Sequence, residues 1–392
     1  MPISRKIAEA MTRSSWIRKM FEEGARMKGD GRGPVYDFSL GNPTLEPPPE
    51  LRNRLRSLVN SSETGLHRYM PNTGYVGTRQ AVAEHVQREF HIAITAESVV
   101  MTVGAGGGLN VALKAILNPG DEVLVTVPYF VEYGFYIDNH GGVMVKVPTD
   151  TGFGLDLDAV ARAVTPRTRA MIVNSPNNPT GVVYSLESMK GLAELLRQKS
   201  RETGSPIYLI SDEPYRKIAY DVTHCPGALD VYEHSIMITS HSKDLGLAGE
   251  RIGWIAVHPQ AADAPTLLDA MAFANRTLGF VNAPALMQKA IETCLDASVD
   301  IGWYRRKRDR LHEALTRFGY TVTKPGGAFY MFPKAPVDDD VAFCRSLAGR
   351  RVLVVPGVGF GMTGYFRIAY CVEDDVIEGA LPAFEAAASG TR

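Results

Sequence analysis

The chain is poor in cysteine, in uninterrupted apolar sequence and in surplus charge, and each shortage excludes a class of protein. Only four cysteines occur in 392 residues, Cys225, Cys294, Cys344 and Cys371, widely scattered and without a CxxC pair. That argues against a disulfide framework or a zinc ribbon; reduced core thiols and no bound metal are expected. Lys plus Arg number 42 against 43 for Asp plus Glu, so no bulk positive field draws nucleic acid or anionic lipid. The longest apolar region, VVMTVGAGGGLNVALKAIL (99–117), is broken by glycines, Asn110 and Lys114, which speaks against a membrane span. The first thirty residues mix both charges at helical spacing and lack the apolar core of a signal peptide. Neither internal repeats nor low-complexity segments are visible. A soluble, cytoplasmic protein is the expectation.

What is present is a series of short Val- and Ile-rich runs separated by crossover-length segments. VVMTV (99–103), EVLVTV (122–127), VMVKV (143–147), AMIVNS (170–175), IYLISD (207–212), IMITS (236–240) and IGWIAV (252–257) read as strands. Helical patterns fall between several of them, at 107–117, 156–164 and 185–199. Such alternation predicts a mostly parallel sheet covered on both faces. After about residue 285 the pattern changes to a long charged helix (YRRKRDRLHEALTRF), the segment TVTKPGGAFYMF, a further helix, VLVVPG, YFRIAYC and a last helix. The expected fold is therefore α/β: a large domain over 51–285 with a seven-stranded sheet, and a small α+β domain formed by 1–50 and 286–392. The Pro-rich LEPPPE (45–50) is the candidate hinge.

In open parallel sheets, ligands collect beyond the carboxyl ends of the strands, and several chemistry-bearing residues sit there. In TVGAGGGLNVAL (102–113) a strand enters a glycine-rich turn and a helix, a place where free backbone N–H groups can receive a phosphate; a turn with only a packing role is the alternative. A dinucleotide fingerprint would need glycine where Leu109 stands. Asn178, in NSPNNPTG, closes a strand with an amide that can donate, or simply forms an Asn-Pro turn. Asp212, in LISDEPY, ends a strongly apolar strand where an ionised carboxylate is costly without a partner, unless it caps a helix; Tyr215 follows three residues on. Then comes SHSKDLGLAGERIGW (240–254), one lysine framed by Ser240 and Ser242, with Arg251 eight residues later.

These groups match the requirements of pyridoxal phosphate. Lys243 would hold the aldehyde as a Schiff base, and Arg251, the serines and the glycine-turn amides would hold the phosphate. Asp212 would keep the pyridine nitrogen protonated, so that the ring accepts electrons, while Tyr215 and Asn178 would face the phenolic oxygen. Arg367, a fixed cation in the apolar strand FRIAYC, calls for a carboxylate: that of a substrate, or of a structural salt bridge.

On these motifs, NNPTG, SDEPY and SxSKxxxxxGxRxG in that order, the chain resembles the class I aminotransferases of the fold-type I pyridoxal-phosphate enzymes, near the aspartate aminotransferase family, from about FSLGNP (38–43) to YFRIAYC (365–371). The resemblance implies an amino-group transfer between an L-amino acid and a 2-oxo acid, 2-oxoglutarate being the expected acceptor. It assigns Lys243, Asp212 and Tyr215 to catalysis. Ala105, Gly106, Ser240, Ser242 and Arg251 are assigned to the phosphate, and Phe130, beside Tyr129, to stacking on the cofactor ring. Tyr69, in HRYMPNTGY, is implied to reach the phosphate of a neighbouring subunit, hence a homodimer with shared sites. Gly41, Asn178 and Arg367 are implied to hold the substrate.

Two positions depart from the relatives. Many bacterial aspartate aminotransferases carry lysine in the glycine turn where this chain has Gly106, and a small hydroxyl residue where it has Trp16. Weaker selection for aspartate is expected, with a broad specificity that admits neutral or aromatic side chains and Arg276 a candidate replacement cation or else a surface or dimer-interface residue. A carbon–sulfur lyase or another non-transaminating enzyme would use the same cradle. A regulator half is disfavoured because no basic helix-turn-helix segment precedes residue 38.

Overall fold

The computed structural model describes residues 2–389 except 13–15, 30, 63 and 223. All seven expected strands form one sheet. After a short strand β1 (Tyr36–Asp37) come β2 (Val99–Thr102), β3 (Glu122–Val127), β4 (Val143–Pro148), β5 (Thr168–Asn174), β6 (Tyr208–Asp212), β7 (Ser235–Ser240) and β8 (Gly253–Val257). Their order is β2-β8-β7-β6-β5-β3-β4, and only β8 runs antiparallel to its neighbours. β6 and β7 are buried along their whole length, which is why their sequences are almost continuously apolar instead of alternating. The edge strand β4 has mostly half-buried or exposed residues and carries Lys146 outward, a charge that discourages pairing with another chain.

Helices cover both faces. Gly104–Ile116 packs on one, against Ala264–Thr277. It starts earlier than the expected 107, so the glycines form its first turn and not a loop before it. Ser185 caps Leu186–Thr203 by accepting from the Ser188 amide at 3.1 Å, and Gly204 ends that helix in the left-handed conformation. Five further helices, among them Pro49–Val59 and Ala285–Ile291, lack strong sequence signals. Those two pack on each other, and Met287, Ala290 and Leu295 share a core cluster with β2 and β8.

The last third builds smaller sheets. β9 (Tyr330–Met331), β11 (Val355–Pro356) and β12 (Phe366–Ala369) form one, ordered β11-β12-β9, while β10 (Val352–Leu353) pairs in parallel with β1. TVTKPGGAFYMF thus contributes only a two-residue strand. The charged helix is longer than its motif, Ile301–Phe318, and packs on Asp374–Ser389. All four cysteines are buried and free. Among the described residues no helix is long and apolar enough to cross a membrane, and no cluster of His, Cys, Asp or Glu has metal-binding geometry.

Candidate active site

The carboxyl ends of the strands open onto a cavity of about 560 Å³, lined by Asn178, Asp212, Tyr215, Lys243, Arg251 and Arg367 among others. Residues as far apart in sequence as Leu40 and Arg367 meet there, at the edge where the parallel strands β5, β6 and β7 end and the antiparallel β8 begins. Asp212 ends β6, Ser240 ends β7, Asn178 follows β5, and Arg251 precedes β8.

Asp212 is fully enclosed. Its Oδ2 accepts from the Tyr133 hydroxyl at 2.6 Å, while its Oδ1 is buried with no partner. Burial pushes this carboxyl up to about 7, against the lowering effect of the Tyr133 hydrogen bond. A turn follows β6, not a helix, so a capping role for Asp212 is excluded. Lys243 Nζ donates to the Gly41 carbonyl at 3.0 Å. Burial pulls its ammonium down to about 8; the Cys371 thiol opposes that fall, and Arg251 and Arg367 reinforce it. Gly41 must be glycine, because a Cβ there would lie 2.0 Å from the Tyr330 hydroxyl. Tyr330 Oη in turn meets Tyr215 Oη at 2.8 Å, and burial holds the Tyr215 phenol well above its usual range, hence protonated.

The corner around Arg251 is shaped by backbone geometry. Gly104 has φ +77°, and the Arg251 guanidinium lies 3.0 Å from where its Cβ would stand, so only glycine admits the arginine so close to the helix start. Ala105 and Gly106 follow in the first turn, where amides have no partner within the helix. Ser240 Oγ donates to Ser242 Oγ at 3.1 Å, and both hydroxyls line the same space.

Arg367 is buried, and among the described residues no carboxylate pairs with it. One nitrogen donates to Asn178 Oδ1 at 3.1 Å and another to the Ser39 carbonyl at 2.6 Å, while its Nε is buried without a partner. Its guanidinium lies over the rings of Tyr330 and Phe360 at 4.7 and 4.9 Å. The structural salt bridge is therefore excluded, and a buried cation with an unused donor is left facing the cavity. Since Asn178 spends its carbonyl on Arg367, its amide nitrogen remains to donate.

Phe130 lines the cavity and packs edge-on to Tyr133 with ring centroids 5.6 Å apart. Tyr129 does not line it and is instead turned towards Lys146 and Gly361. Tyr69 is outside this cavity and 90% exposed. Trp16 does not line the cavity either: it packs on Gly359 beneath Lys19, in the cluster containing Phe360. Arg276 is exposed and stacks on Phe273. Sequence reading missed Tyr133, Tyr136, Glu132 and Tyr330. A VPYFVEY run signals that something aromatic follows β3, but not which ring reaches Asp212.

The family described as aminotransferase class I and II matches residues 34–384. A probable aspartate/prephenate aminotransferase of Thermus aquaticus is 36% identical over 357 residues, covering 88% of this chain and 90% of that protein. Among solved structures, an amino transferase from Eubacterium rectale superposes with TM-score 0.96 at 40% identity over the whole of both chains. Aspartate aminotransferase from Thermus thermophilus with maleate gives 0.84 at 32% identity, covering 95% of this chain and 97% of that one.

Proposed function

The chain belongs to the class I and II aminotransferase family and is a pyridoxal-phosphate-dependent aminotransferase acting on amino and 2-oxo acids; from that premise we propose how its own residues divide the work. The donor set fits the cofactor. A buried carboxylate with one free oxygen suits a ring N–H, a lysine sits across the cavity, and Arg251 with two serines and a helix start suits a phosphate. When bound, pyridoxal phosphate supplies an aldehyde that takes up the amino group and a ring that accepts electron density released at the substrate α-carbon.

Lys243 Nζ holds the cofactor in the resting enzyme. With its ammonium pulled down to about 8 in this dry site, the Lys243 amine would take the proton from the substrate α-carbon and deliver it to the aldehyde carbon of the cofactor. Asp212 keeps a positive charge on the ring nitrogen, and Tyr133 holds Asp212 in place. Asn178 Nδ2 and Tyr215 Oη donate to the phenolic oxygen. Arg251, Ser240, Ser242 and the amides of Ala105 and Gly106 bind the phosphate, and Phe130 stacks on the ring. Arg367 and the Gly41 backbone orient the substrate α-carboxylate. Tyr69, almost wholly exposed on its own subunit, acts in the site of a second copy, making the enzyme a homodimer. A large unit over 51–285 and a small one made of 1–50 and 286–392 would then close on the substrate, the segment Met287 to Leu295 just past that boundary packing with the large unit. This division is supported by the pairing of β1 with β10. A cytoplasmic location completes the reading.

The observation that carries it is the convergence of Lys243, Asp212, Arg251 and Arg367 on one cavity. A donor-by-acceptor assay of the purified holoenzyme tests it, with 2-oxoglutarate as the first acceptor. Amino-acid product should form only when the acceptor is present. Release of ammonia or sulfide from a donor without any acceptor would point to a lyase instead.

A further inference from the structure

The cavity is lined by five charged side chains, Lys243, Arg251, Arg367, Asp212 and Glu132. The first four have work in the reading above. Glu132 has none. It stands just before the helix Tyr133–Asn139, its side chain does not cap that helix, and among the described residues no cation pairs with it. Burial raises its carboxyl above the usual range, and no partner counters that.

Its surroundings define a wall. The Tyr136 amide donates to the Glu132 carbonyl at 3.0 Å, and the Tyr136 hydroxyl lies 3.1 Å from where a Cβ on Gly106 would stand. Leu40, Leu109 and Phe130 supply apolar surface to the same cavity. All three cations of the cavity are committed, so none is left in this chain for a second carboxylate on the substrate. A space of 560 Å³ is only about 8 Å on a side, shorter than the roughly 10 Å over which 0.1 M salt screens charge. A substrate side chain in it cannot escape the field of Glu132.

We propose that Glu132 is a specificity-determining residue that favours amino acids whose side chain ends in a cation or a hydrogen-bond donor and disfavours those ending in a second carboxylate. A half-shielded carboxylate without a partner repels another carboxylate and gains most from a positive or N–H-bearing group. The same repulsion acts on a dicarboxylic 2-oxo acid, since both half-reactions use one cavity, so 2-oxoglutarate, the acceptor implied by the resemblance, should be a poorer one here than a monocarboxylic 2-oxo acid. The inference rests on the aminotransferase reading and deepens it.

The test uses the holoenzyme and Glu132→Gln, which keeps size and removes charge. The ratio of kcat/KM for aspartate to that for leucine should rise at least about tenfold, and the ratio for ornithine to leucine should fall. Unreactive 2-methyl amino acids give a second readout on the unaltered enzyme, free of any folding defect: 2-methylornithine should bind at least about tenfold more tightly than 2-methylaspartate, followed by the cofactor absorbance. Ratios that move less than twofold, or tighter binding of 2-methylaspartate to the unaltered enzyme, overturn the proposal. If no donor yields product with any acceptor, it is the aminotransferase reading that has failed, not the assignment of Glu132.

Discussion

The Tyr133 hydroxyl donates to Asp212 Oδ2 at 2.6 Å, and Asp212 Oδ1 has no partner among the described residues. One oxygen is thus anchored by a neutral donor while the other is held ready for a cationic one. A neutral donor lowers the cost of the buried carboxylate without cancelling its charge. Asp212→Asn should retain cofactor through the phosphate contacts yet lose about a thousandfold in kcat, because an amide cannot keep a ring nitrogen charged. Tyr133→Phe should cost about tenfold, the worth of one hydrogen bond to a charged group. Steady-state rates with cofactor affinity measured in parallel check both; an Asp212→Asn enzyme within fivefold of the parent removes Asp212 from the mechanism.

Lys243 is the group on which covalent attachment depends. Lys243→Ala should lose transamination entirely, while Arg251 and the serines still bind the cofactor loosely. Borohydride reduction of the parent followed by peptide mapping should place the adduct on Lys243. An adduct on any other lysine would sink the assignment.

The large sheet and the polar residues at its edge were legible because both follow short-range rules. Buried parallel strands are apolar runs whatever surrounds them, and Asn178, Asp212 and Lys243 stand out by being polar where such runs end. Tyr133 and Tyr330 were not legible, because an aromatic residue reads as core until its hydroxyl is found against Asp212 or Tyr215. The glycines at 104 and 106 suggested a turn ahead of the helix because glycine weakens helices; packing of the segment against Ala264–Thr277 overrides that weakness. Trp16 misled for a different reason: it packs on Gly359 and does not line the cavity, a tertiary placement that no local pattern encodes.

Arg367→Ala should weaken substrates with an α-carboxylate by about a hundredfold in kcat/KM, while cofactor affinity changes little. Arg367→Lys should recover only part of the loss, since an ammonium cannot reproduce the two-pronged geometry. Amines lacking that carboxylate should be poor substrates of the parent and nearly indifferent to the change. Equal losses for both kinds of substrate would make Arg367 structural.

The pH dependence of stability in the cofactor-free protein carries a sign that can be checked. Asp212 has a folded-state value of about 7 against about 4 when unfolded, so between those values the folded chain holds a proton that the unfolded chain has lost. The Asp212 contribution to stability therefore falls as pH rises from about 4 to 7, by up to a few kcal/mol, and levels off above. Lys243 works in the other direction at higher pH. Its folded value is near 8, below the unfolded one, so stability recovers as pH rises from about 8 to 10. Denaturant titrations of the parent and Asp212→Asn at pH 5 and pH 7.5 should show the parent losing ground to the mutant at the higher pH. An unchanged difference would mean that Asp212 does not titrate in this range.

Tyr69 gives the sharpest test of a shared site. It is 90% exposed on its own chain and does not line that chain's cavity, so an effect on catalysis would have to come through a second copy. Tyr69→Ala should cost about tenfold or more, as expected for a lost hydrogen bond to a charged group, and Lys243→Ala should be inactive. Mixing the two under conditions that exchange subunits produces a heterodimer. One of its sites has Lys243 and receives an intact Tyr69 from the Lys243→Ala chain, so activity should rise well above the sum of the two preparations. Were Tyr69 to act within its own subunit, that same site would keep its lysine but lack the tyrosine, and mixing would restore nothing. Size-exclusion chromatography with light scattering must show a dimer in both mutants for the comparison to hold, and a monomeric parent would end the shared-site reading outright.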